Sequence, residues 1–288
     1  MSLEPVSAAA GGASTPRPDD ETLARHLAEV VAGAGELARS MYGAGLKTWT
    51  KDNQSPVTEA DLAVDRFLHR HLTALAPGYG WLSEETADDP ARLDARRVWV
   101  VDPIDGTRGY MNGAPDWAVS VALVEDGRPL LAALFAPMLD EMFVARRGAG
   151  ARRNGVRVKV APRAELEGAR AAGPADALDA IARTAAIARL PRGHSLALRI
   201  ARVATGEVDL AVSRADSHDW DLAAADLLVE EADGRLTTFD AAPLVYNRPV
   251  PRHAPLLCAG RALHPVALAA AARAQLFAAP HGAAQPRP

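Results

Sequence analysis

The chain has 288 residues, of which 49% are hydrophobic and 24% are charged, and this balance excludes a wholly disordered or fibrous protein. Its 32 basic and 36 acidic residues give a net charge of −4, so we expect neither a nucleic-acid polymer nor a membrane as a partner. The single cysteine, Cys258, cannot form an intramolecular disulfide, and no apolar run is long enough to span a bilayer. We therefore expect a cytoplasmic protein.

The two ends of the chain differ in composition from its middle. Residues 1–18 are small and polar, and they lack the basic and apolar regions of a secretory signal. Residues 278–288 have a similar composition, and we expect both ends to be flexible tails. Between them the length predicts about two units, an N-terminal lobe over residues 19–165 and a C-terminal lobe over residues 166–277.

The first half of the chain predicts two helices followed by a mostly antiparallel sheet. Apolar residues recur at helical spacing after Asp19 or Asp20. Thr58 followed three residues later by Asp61 indicates a capped start of a second helix, and Asp126-Gly127 indicates a hairpin turn. The predicted strands cover residues 80–83, 97–101, 117–124, 130–135, 142–145 and 157–160.

The second half alternates between predicted strands and helices, which favours an α/β class. The predicted strands cover residues 169–172, 208–213, 235–239 and 256–258. The predicted helices cover residues 175–188, 195–204 and 221–231, and an Ala-rich helix precedes the C-terminal tail.

A strand of large apolar residues leads directly into two acids, Asp102 and Asp105. Because Pro103 cannot donate to a sheet ladder, the strand must end or bend there, which can direct both carboxylates into one space. The Ile104 carbonyl can face the same space, and a helix that begins at Gly106-Thr107 would offer N–H groups to an anion. These oxygen ligands suit Mg²⁺, Mn²⁺ or Ca²⁺, and two such cations could bind a phosphoryl group and activate water. An ordinary turn is the alternative interpretation.

Two further acidic segments favour a metal site. Glu84-Glu85 follows a predicted strand, and Asp221 begins a predicted apolar helix. Taken singly, the first would be a solvated loop and the second a helix cap. Three acidic segments at the ends of elements together point to one site with oxygen ligands.

Four motifs, in this order, resemble those of the inositol monophosphatase superfamily, whose members are Mg²⁺-dependent, lithium-sensitive phosphomonoesterases. The motifs are VTEAD (57–61), SEET (83–86), DPIDGT (102–107) and WDLAA (220–224). The resemblance implies a layered αβαβα sandwich, usually assembled as a homodimer, that acts on a small phosphorylated metabolite. A non-catalytic metal- or nucleotide-binding protein on the same fold and a structural oligomer with an acidic surface are the rival classes.

The resemblance also implies roles for individual residues, with two or three Mg²⁺ ions at each site. The implied metal ligands are Glu84, Asp102, Ile104 through its carbonyl, Asp105 and Asp221. The implied catalytic residues are Asp61 and Thr107, which orient the attacking water and accept its proton, and Glu84, which helps to place a third metal ion. The implied substrate contacts include Asp105, Gly106, Thr107 and Asp221.

Residue 214 bears on the choice of substrate. Inositol-specific members usually carry a Glu seven residues before the Asp of the Trp-Asp motif, and Arg214 occupies that position here. An arginine favours a second anionic group over a neutral polyol, so we add Arg214 to the predicted substrate contacts, whereas Arg108 could bind a second phosphate or lie on the surface. Residues 108–113 and 217–221 resemble bacterial members labelled 3′(2′),5′-bisphosphate nucleotidases. We expect hydrolysis of adenosine 3′,5′-bisphosphate, with inositol 1-phosphate and histidinol phosphate as alternatives.

Overall fold

Two helices begin the part of the chain that the computed structural model describes, which comprises residues 19–43, 47–50, 56–274 and 276. The Asp19 carboxylate caps α1 (Asp20–Met41) by accepting a hydrogen bond from the N–H of Thr22 at 2.7 Å. Helix α2 (Glu59–Leu75) begins with the predicted capping box of Thr58 and Asp61. A short antiparallel pair, β1 (Thr48–Thr50) and β2 (Pro56–Thr58), precedes α2. The two predicted tails lie outside the described residues.

A seven-stranded sheet follows these helices. Its strands are β3 (Gly80–Ser83), β4 (Arg97–Asp105), β5 (Ala118–Glu125), β6 (Arg128–Ala136), β7 (Glu141–Arg146), β8 (Gly150–Arg153) and β9 (Val156–Arg157). They neighbour one another in chain order, and every pair is antiparallel except β3 and β4. Asp126 and Gly127 join β5 to β6 with φ values of 50° and 76°, as the predicted hairpin requires.

The remaining elements build a second sheet and its helices. The helices are α3 (Thr107–Met111), α4 (Ala175–Ala182), α5 (Leu196–Ala204), α6 (Asp219–Glu231) and α7 (His264–Arg273). The remaining strands are β10 (Ala169–Ala172), β11 (Ile187–Arg189), β12 (Leu210–Ser213), β13 (Ser217–His218), β14 (Gly234–Thr238), β15 (Arg252–His253) and β16 (Leu256–Gly260). Five of them form a sheet in the order β11-β10-β12-β16-β14, and β13 pairs separately with β15.

The elements stack in five layers. Helices α1 and α2 pack together against the first sheet, and α6 packs against that sheet and against β14 of the second. Helix α5 packs beside α6 in the same layer and contacts strands β12 and β16, and α7 contacts β16 and α4. This order confirms the predicted αβαβα sandwich. Trp99 and Trp117 are fully buried in the core beneath α1 and α2, and Cys258 is buried in the core between the sheets.

Two predicted elements are wrong. The helix predicted over residues 175–188 ends at Ala182, because residues 187–189 pair in parallel with β10 as an edge strand. The strand predicted over residues 157–160 ends at Arg157, and the N–H of Val160 donates instead to the carbonyl of Ala232 at 3.0 Å. None of the helices within the described residues is long and apolar enough to cross a membrane.

The lobe boundary predicted at residue 165 stays a prediction. The strands of the two sheets fall on either side of it, since the first sheet ends with β9 and the second begins with β10. Helix α6, however, comes after that boundary and packs against the sheet formed before it. The two parts of the chain therefore share one central core.

Candidate active site

Strand β4 carries two of the predicted acids into the interior. It pairs in register with β5 as far as Asp102, and the register then shifts before Asp105. The irregularity falls at Pro103, which has no N–H to donate to the ladder, as the sequence predicted. Asp102 and Asp105 are 1% and 7% exposed, and one carboxylate oxygen of each lies within 4.8 Å of the other and of one from Asp221.

Asp221 reaches this cluster from the first turn of α6. Its Oδ2 accepts a hydrogen bond from the backbone N–H of His218 at 2.7 Å, which fixes the carboxylate at the start of the helix. Asp219, in the same motif, is fully buried and bonds elsewhere. One of its oxygens accepts from the N–H of Asn247 and the other lies against Nε2 of His253, both at 2.7 Å. Asp219 therefore anchors a loop, whereas Asp221 belongs to the acidic cluster.

Burial and mutual repulsion make the ionised cluster unfavourable by itself. Burial raises the pKa of Asp102 well above its usual range, and the charges of Glu84, Asp105 and Asp221 add to the effect. Burial likewise raises the pKa of Asp221 well above its usual range, helped by Asp105 and Glu84. Burial raises the pKa of Asp105 to about 6, although hydrogen bonds from Ser195 and α5 oppose the rise. The ionised carboxylates would therefore be stabilised by a positive charge bound between them.

The donor set fits a divalent cation. Oδ1 of Asp102 is buried and has no hydrogen-bond partner among the described residues, which is costly unless a cation binds it. Glu84 and Ile104 line the same cleft as the three aspartates. Carboxylate and carbonyl oxygens without His or Cys are the ligands that Mg²⁺ prefers.

Asp61 and Thr107 form the pair that the sequence predicted. Oγ1 of Thr107 lies 3.1 Å from Oδ1 of Asp61 and 3.0 Å from the Ile104 carbonyl, so its hydrogen can serve either oxygen. Oδ2 of Asp61 accepts from both the N–H and the hydroxyl of Thr58, at 2.7 and 2.6 Å. Burial raises the pKa of Asp61. The capping box of α2 therefore also directs Asp61 toward Thr107.

Asp65 holds the loop that carries Glu84. The hydroxyls of Ser83 and Thr86 donate to its two carboxylate oxygens at 2.5 and 2.7 Å. Asp65 lies one helical turn after Asp61 on α2, and it was not among the predicted site residues. Its spacing of four residues from Asp61 is the only sequence signal that could have identified it.

Ser195 and Gly106 bring α5 against Asp105. Gly106 has a φ of 98°, which favours glycine, and a Cβ there would lie 3.1 Å from the backbone nitrogen of Ser195. This close approach lets the Ser195 hydroxyl donate to Oδ2 of Asp105 at 2.5 Å, beside the N–H of Ala197 at 2.6 Å. Sequence analysis predicted the helix but not this contact.

A cleft of about 590 Å³ brings most of the predicted residues together. Its lining includes Glu84, Asp102, Ile104, Asp105, Gly106, Thr107 and Asp221. Arg108, Arg192 and His194 line it as well, and sequence analysis missed the last two. Arg214 is not among the residues that line it; its exposed guanidinium donates to Asp176 at 2.7 Å.

Comparison with known proteins identifies the family. The model of the inositol monophosphatase family matches residues 19–276. The chain belongs to this family. A histidinol-phosphatase of Mycobacterium tuberculosis, which is one of its relatives, is 39% identical over 77% of this chain and 88% of its own. The 3′(2′),5′-bisphosphate nucleotidase CysQ of Aggregatibacter actinomycetemcomitans is 32% identical over 78% of this chain and 88% of its own. The structure of the Thermotoga maritima IMPase has a TM-score of 0.76 at 25% identity, covering 88% of this chain and 98% of that one.

Membership of the inositol monophosphatase family establishes the reaction class. Its members are phosphatases that hydrolyse the phosphate monoesters of small metabolites, and they depend on Mg²⁺. The protein is therefore a phosphatase, and the acidic cluster agrees with the metal requirement. Relatives with 32–39% identity are named for different substrates, so the substrate of this protein has to be argued from its own cleft.

Proposed function

We propose that the protein is a Mg²⁺-dependent 3′(2′),5′-bisphosphate nucleotidase that hydrolyses adenosine 3′,5′-bisphosphate. The observation that carries this proposal is the lining of the cleft. Arg108 and Arg192 share it with the acidic cluster, and neither guanidinium forms an ion pair with a described residue. Unpaired arginines suit a substrate that keeps a second phosphate beyond the one that is cleaved.

The acids supply the metal ligands of this proposal. Two Mg²⁺ ions would be held by Glu84, Asp102, the Ile104 carbonyl, Asp105 and Asp221, and Glu84 would help to place a third. When bound, Mg²⁺ supplies positive charge that neutralises the phosphoryl group and favours ionisation of a water molecule.

The remaining steps fall to protein groups. The Thr107 hydroxyl orients the attacking water, and Asp61 accepts its proton through that hydroxyl. The backbone N–H groups of Gly106 and Thr107 donate to phosphate oxygens. A bond forms between the water oxygen and phosphorus, and the bond from phosphorus to the ester oxygen breaks. The leaving oxygen takes up a proton from solvent, so the products are an alcohol and inorganic phosphate. Positioning and charge neutralisation, rather than covalent chemistry, provide the rate enhancement.

Histidinol phosphate is the second candidate, because two relatives at 39% and 34% identity are named histidinol-phosphatases. Its ammonium group would, however, be repelled by Arg108 and Arg192. Inositol 1-phosphate has a neutral polyol that would leave both guanidinium groups without an anionic partner. The part of Arg214 stays a prediction, since its guanidinium pairs with Asp176 outside the cleft lining.

Two further proposals, on oligomeric state and cellular location, come from the sequence and the family resemblance. We propose that the protein is a homodimer, which sedimentation of the purified protein tests. We also propose a cytoplasmic location, which fits a chain with one cysteine and is tested by cell fractionation.

The substrate is tested by measuring phosphate release with Mg²⁺ from three compounds side by side: adenosine 3′,5′-bisphosphate, inositol 1-phosphate and histidinol phosphate. We expect the highest kcat/KM for the bisphosphate, inhibition by lithium, and a loss of kcat of about a hundredfold or more in Asp102→Asn. A higher kcat/KM for either monophosphate would contradict the nucleotidase proposal while leaving the metal chemistry intact. Unchanged turnover by Asp102→Asn would contradict the chemistry.

A further inference from the structure

His194 lines the cleft beside the acids, and it pairs with Asp116, which lies behind it outside the cleft lining. Nδ1 of His194 lies 2.8 Å from Oδ1 of Asp116, and the backbone N–H of His194 donates to Oδ2 of Asp116 at 2.6 Å. A carboxylate only accepts hydrogen bonds, so Nδ1 carries the hydrogen. Nε2 has no hydrogen-bond partner among the described residues. The second ring nitrogen is therefore open to a ligand.

The loop that carries this histidine has a defined shape. A Cβ on Gly109 would lie 2.7 Å from Cβ and Cγ of His194, so the imidazole sits against α3 only because residue 109 is glycine. The buried Arg199 donates from Nη1 to the Arg192 carbonyl at 3.2 Å, and the N–H of Ser195 donates to the Asp116 carbonyl at 3.2 Å. Both ends of the segment are tied to neighbouring elements.

Charge determines what this part of the cleft can bind. Two Mg²⁺ ions would balance the four carboxylates of Glu84, Asp102, Asp105 and Asp221. The guanidinium groups of Arg108 and Arg192 then remain without a described counter-ion. Their charge matches that of one phosphate monoester, which is about −1.5 to −2 at neutral pH.

We propose that His194, oriented by Asp116, binds together with Arg192 and Arg108 the anionic group of the substrate that is not cleaved. This inference rests on the proposed function for the reaction at the acidic cluster. In adenosine 3′,5′-bisphosphate the bound group is the 5′-phosphate. Nε2 of His194 donates to it, and Asp116 holds the ring in place through Nδ1. Arg192 and Arg108 supply charge-assisted hydrogen bonds.

The test compares two substrates that differ only in the second phosphate. We define the preference as kcat/KM for adenosine 3′,5′-bisphosphate divided by kcat/KM for adenosine 3′-monophosphate. Loss of one charge-assisted hydrogen bond predicts that His194→Ala and Arg192→Gln each lower the preference by about tenfold or more. The loss should fall mainly on KM, and Arg192→Lys should restore part of it. Arg70→Gln removes one exposed positive charge elsewhere and should leave the preference unchanged.

Asp116 is a positioning residue, and a double mutant tests its role. Asp116→Asn should lower the preference in the wild-type background, because an amide can still accept the backbone N–H of His194 but is a weaker acceptor than a carboxylate for the Nδ1 hydrogen. It should have little further effect in the His194→Ala background, since the two residues act as one unit. Equal effects in both backgrounds would show that Asp116 acts only on the local structure.

A second pair of substrates separates this inference from the proposed function. The same ratio is measured for inositol 1,4-bisphosphate against inositol 1-phosphate. If the wild-type protein prefers the inositol compounds and the variants still lower the ratio, the nucleotidase proposal fails and the inference stands. If His194→Ala and Arg192→Gln leave the ratio unchanged for both pairs, the inference is overturned. It is also overturned if Arg214→Ala lowers the ratio while the loop variants do not.

Discussion

Ser195 connects the start of α5 to the acidic cluster, and its substitution tests whether that contact serves metal binding. Its hydroxyl accepts the N–H of Leu198 at 2.9 Å, which caps the helix, and donates to Oδ2 of Asp105 at 2.5 Å. Ser195→Ala removes both bonds and leaves Asp105 with the N–H of Ala197. Ser195 is 2% exposed, so water cannot easily replace the lost hydroxyl.

Two contributions set the size of the effect. Loss of a helix cap costs about 1 kcal/mol, and loss of a hydrogen bond to a charged group costs about 1.5–3 kcal/mol. We expect the free energy of unfolding of the metal-free protein to fall by about 3 kcal/mol, which lowers Tm by roughly 5 °C for a chain of this size. Loss of an outer partner of a metal ligand typically weakens metal affinity by about 10–100-fold. A tenfold loss of Mg²⁺ affinity would remove about 1.4 kcal/mol of stabilisation by Mg²⁺.

The assay is thermal unfolding in EDTA and in a Mg²⁺ titration, together with the Mg²⁺ concentration for half-maximal activity. Three variants separate the contributions. Asp19→Ala removes the cap of a different helix, α1, and should lower Tm without changing the Mg²⁺ midpoint. Ser195→Gly keeps most of the capping energy but loses the bond to Asp105, so its Mg²⁺ midpoint should rise, whereas Ser195→Thr should keep both properties. If Ser195→Ala and Ser195→Gly bind Mg²⁺ with wild-type affinity, the proposed role of Ser195 is refuted.

Three further predictions concern single residues. Asp102→Asn should raise the Tm of the metal-free protein, because it removes a buried charge whose neighbours repel it, while lowering kcat by about a hundredfold or more; a lower Tm in EDTA would contradict this. Thr107→Val should lower kcat by about a hundredfold because Oδ1 of Asp61 loses the hydroxyl that connects it to the attacking water, and Thr107→Ser should keep most of the activity; equal rates for both variants would exclude the dyad. Burial raises the pKa of Asp226 to about 7, although the Tyr246 hydroxyl donates to it, so its contribution to stability is full below about pH 4 and is lost as pH rises through 7. Asp226→Asn should therefore be more stable than wild type by about 4 kcal/mol at pH 8 and gain little at pH 4, and a Tm difference independent of pH would contradict this.

The elements that local chemistry controls were predicted well from the sequence. The capping box of Thr58 and Asp61 and the turn at Asp126-Gly127 each depend on neighbouring residues, and both lie where predicted. Residues 183–188 were predicted as helix, yet Ile187–Arg189 forms a strand on the edge of the second sheet. Pairing with β10, which is distant in sequence, outweighs a weak local preference.

The residues of the candidate site likewise fall into those that a local motif reveals and those that only distant contacts bring into place. The acids could be found because each motif places a carboxylate at the end of a predicted element, and the structure brings Asp102, Asp105 and Asp221 within 4.8 Å of one another. The groups that orient them were missed. Asp65 on α2 and Ser195 before α5 act through hydrogen bonds to residues 18 and 90 positions away, and such contacts leave no local pattern.

The sequence by itself was enough to identify the acids that we propose as metal ligands, because these residue types and their spacing lie within short motifs whose local geometry is set by Pro103, Gly106 and a helix start. Only the tertiary structure decided which basic side chains lie beside the acids. Arg192 and His194 reach the cleft because Asp116 and Arg199 hold their loop, whereas Arg214, which a family position had suggested, pairs with Asp176. Charge acts through space over a few ångströms, so the groups around a substrate are selected by folding and not by their order in the chain.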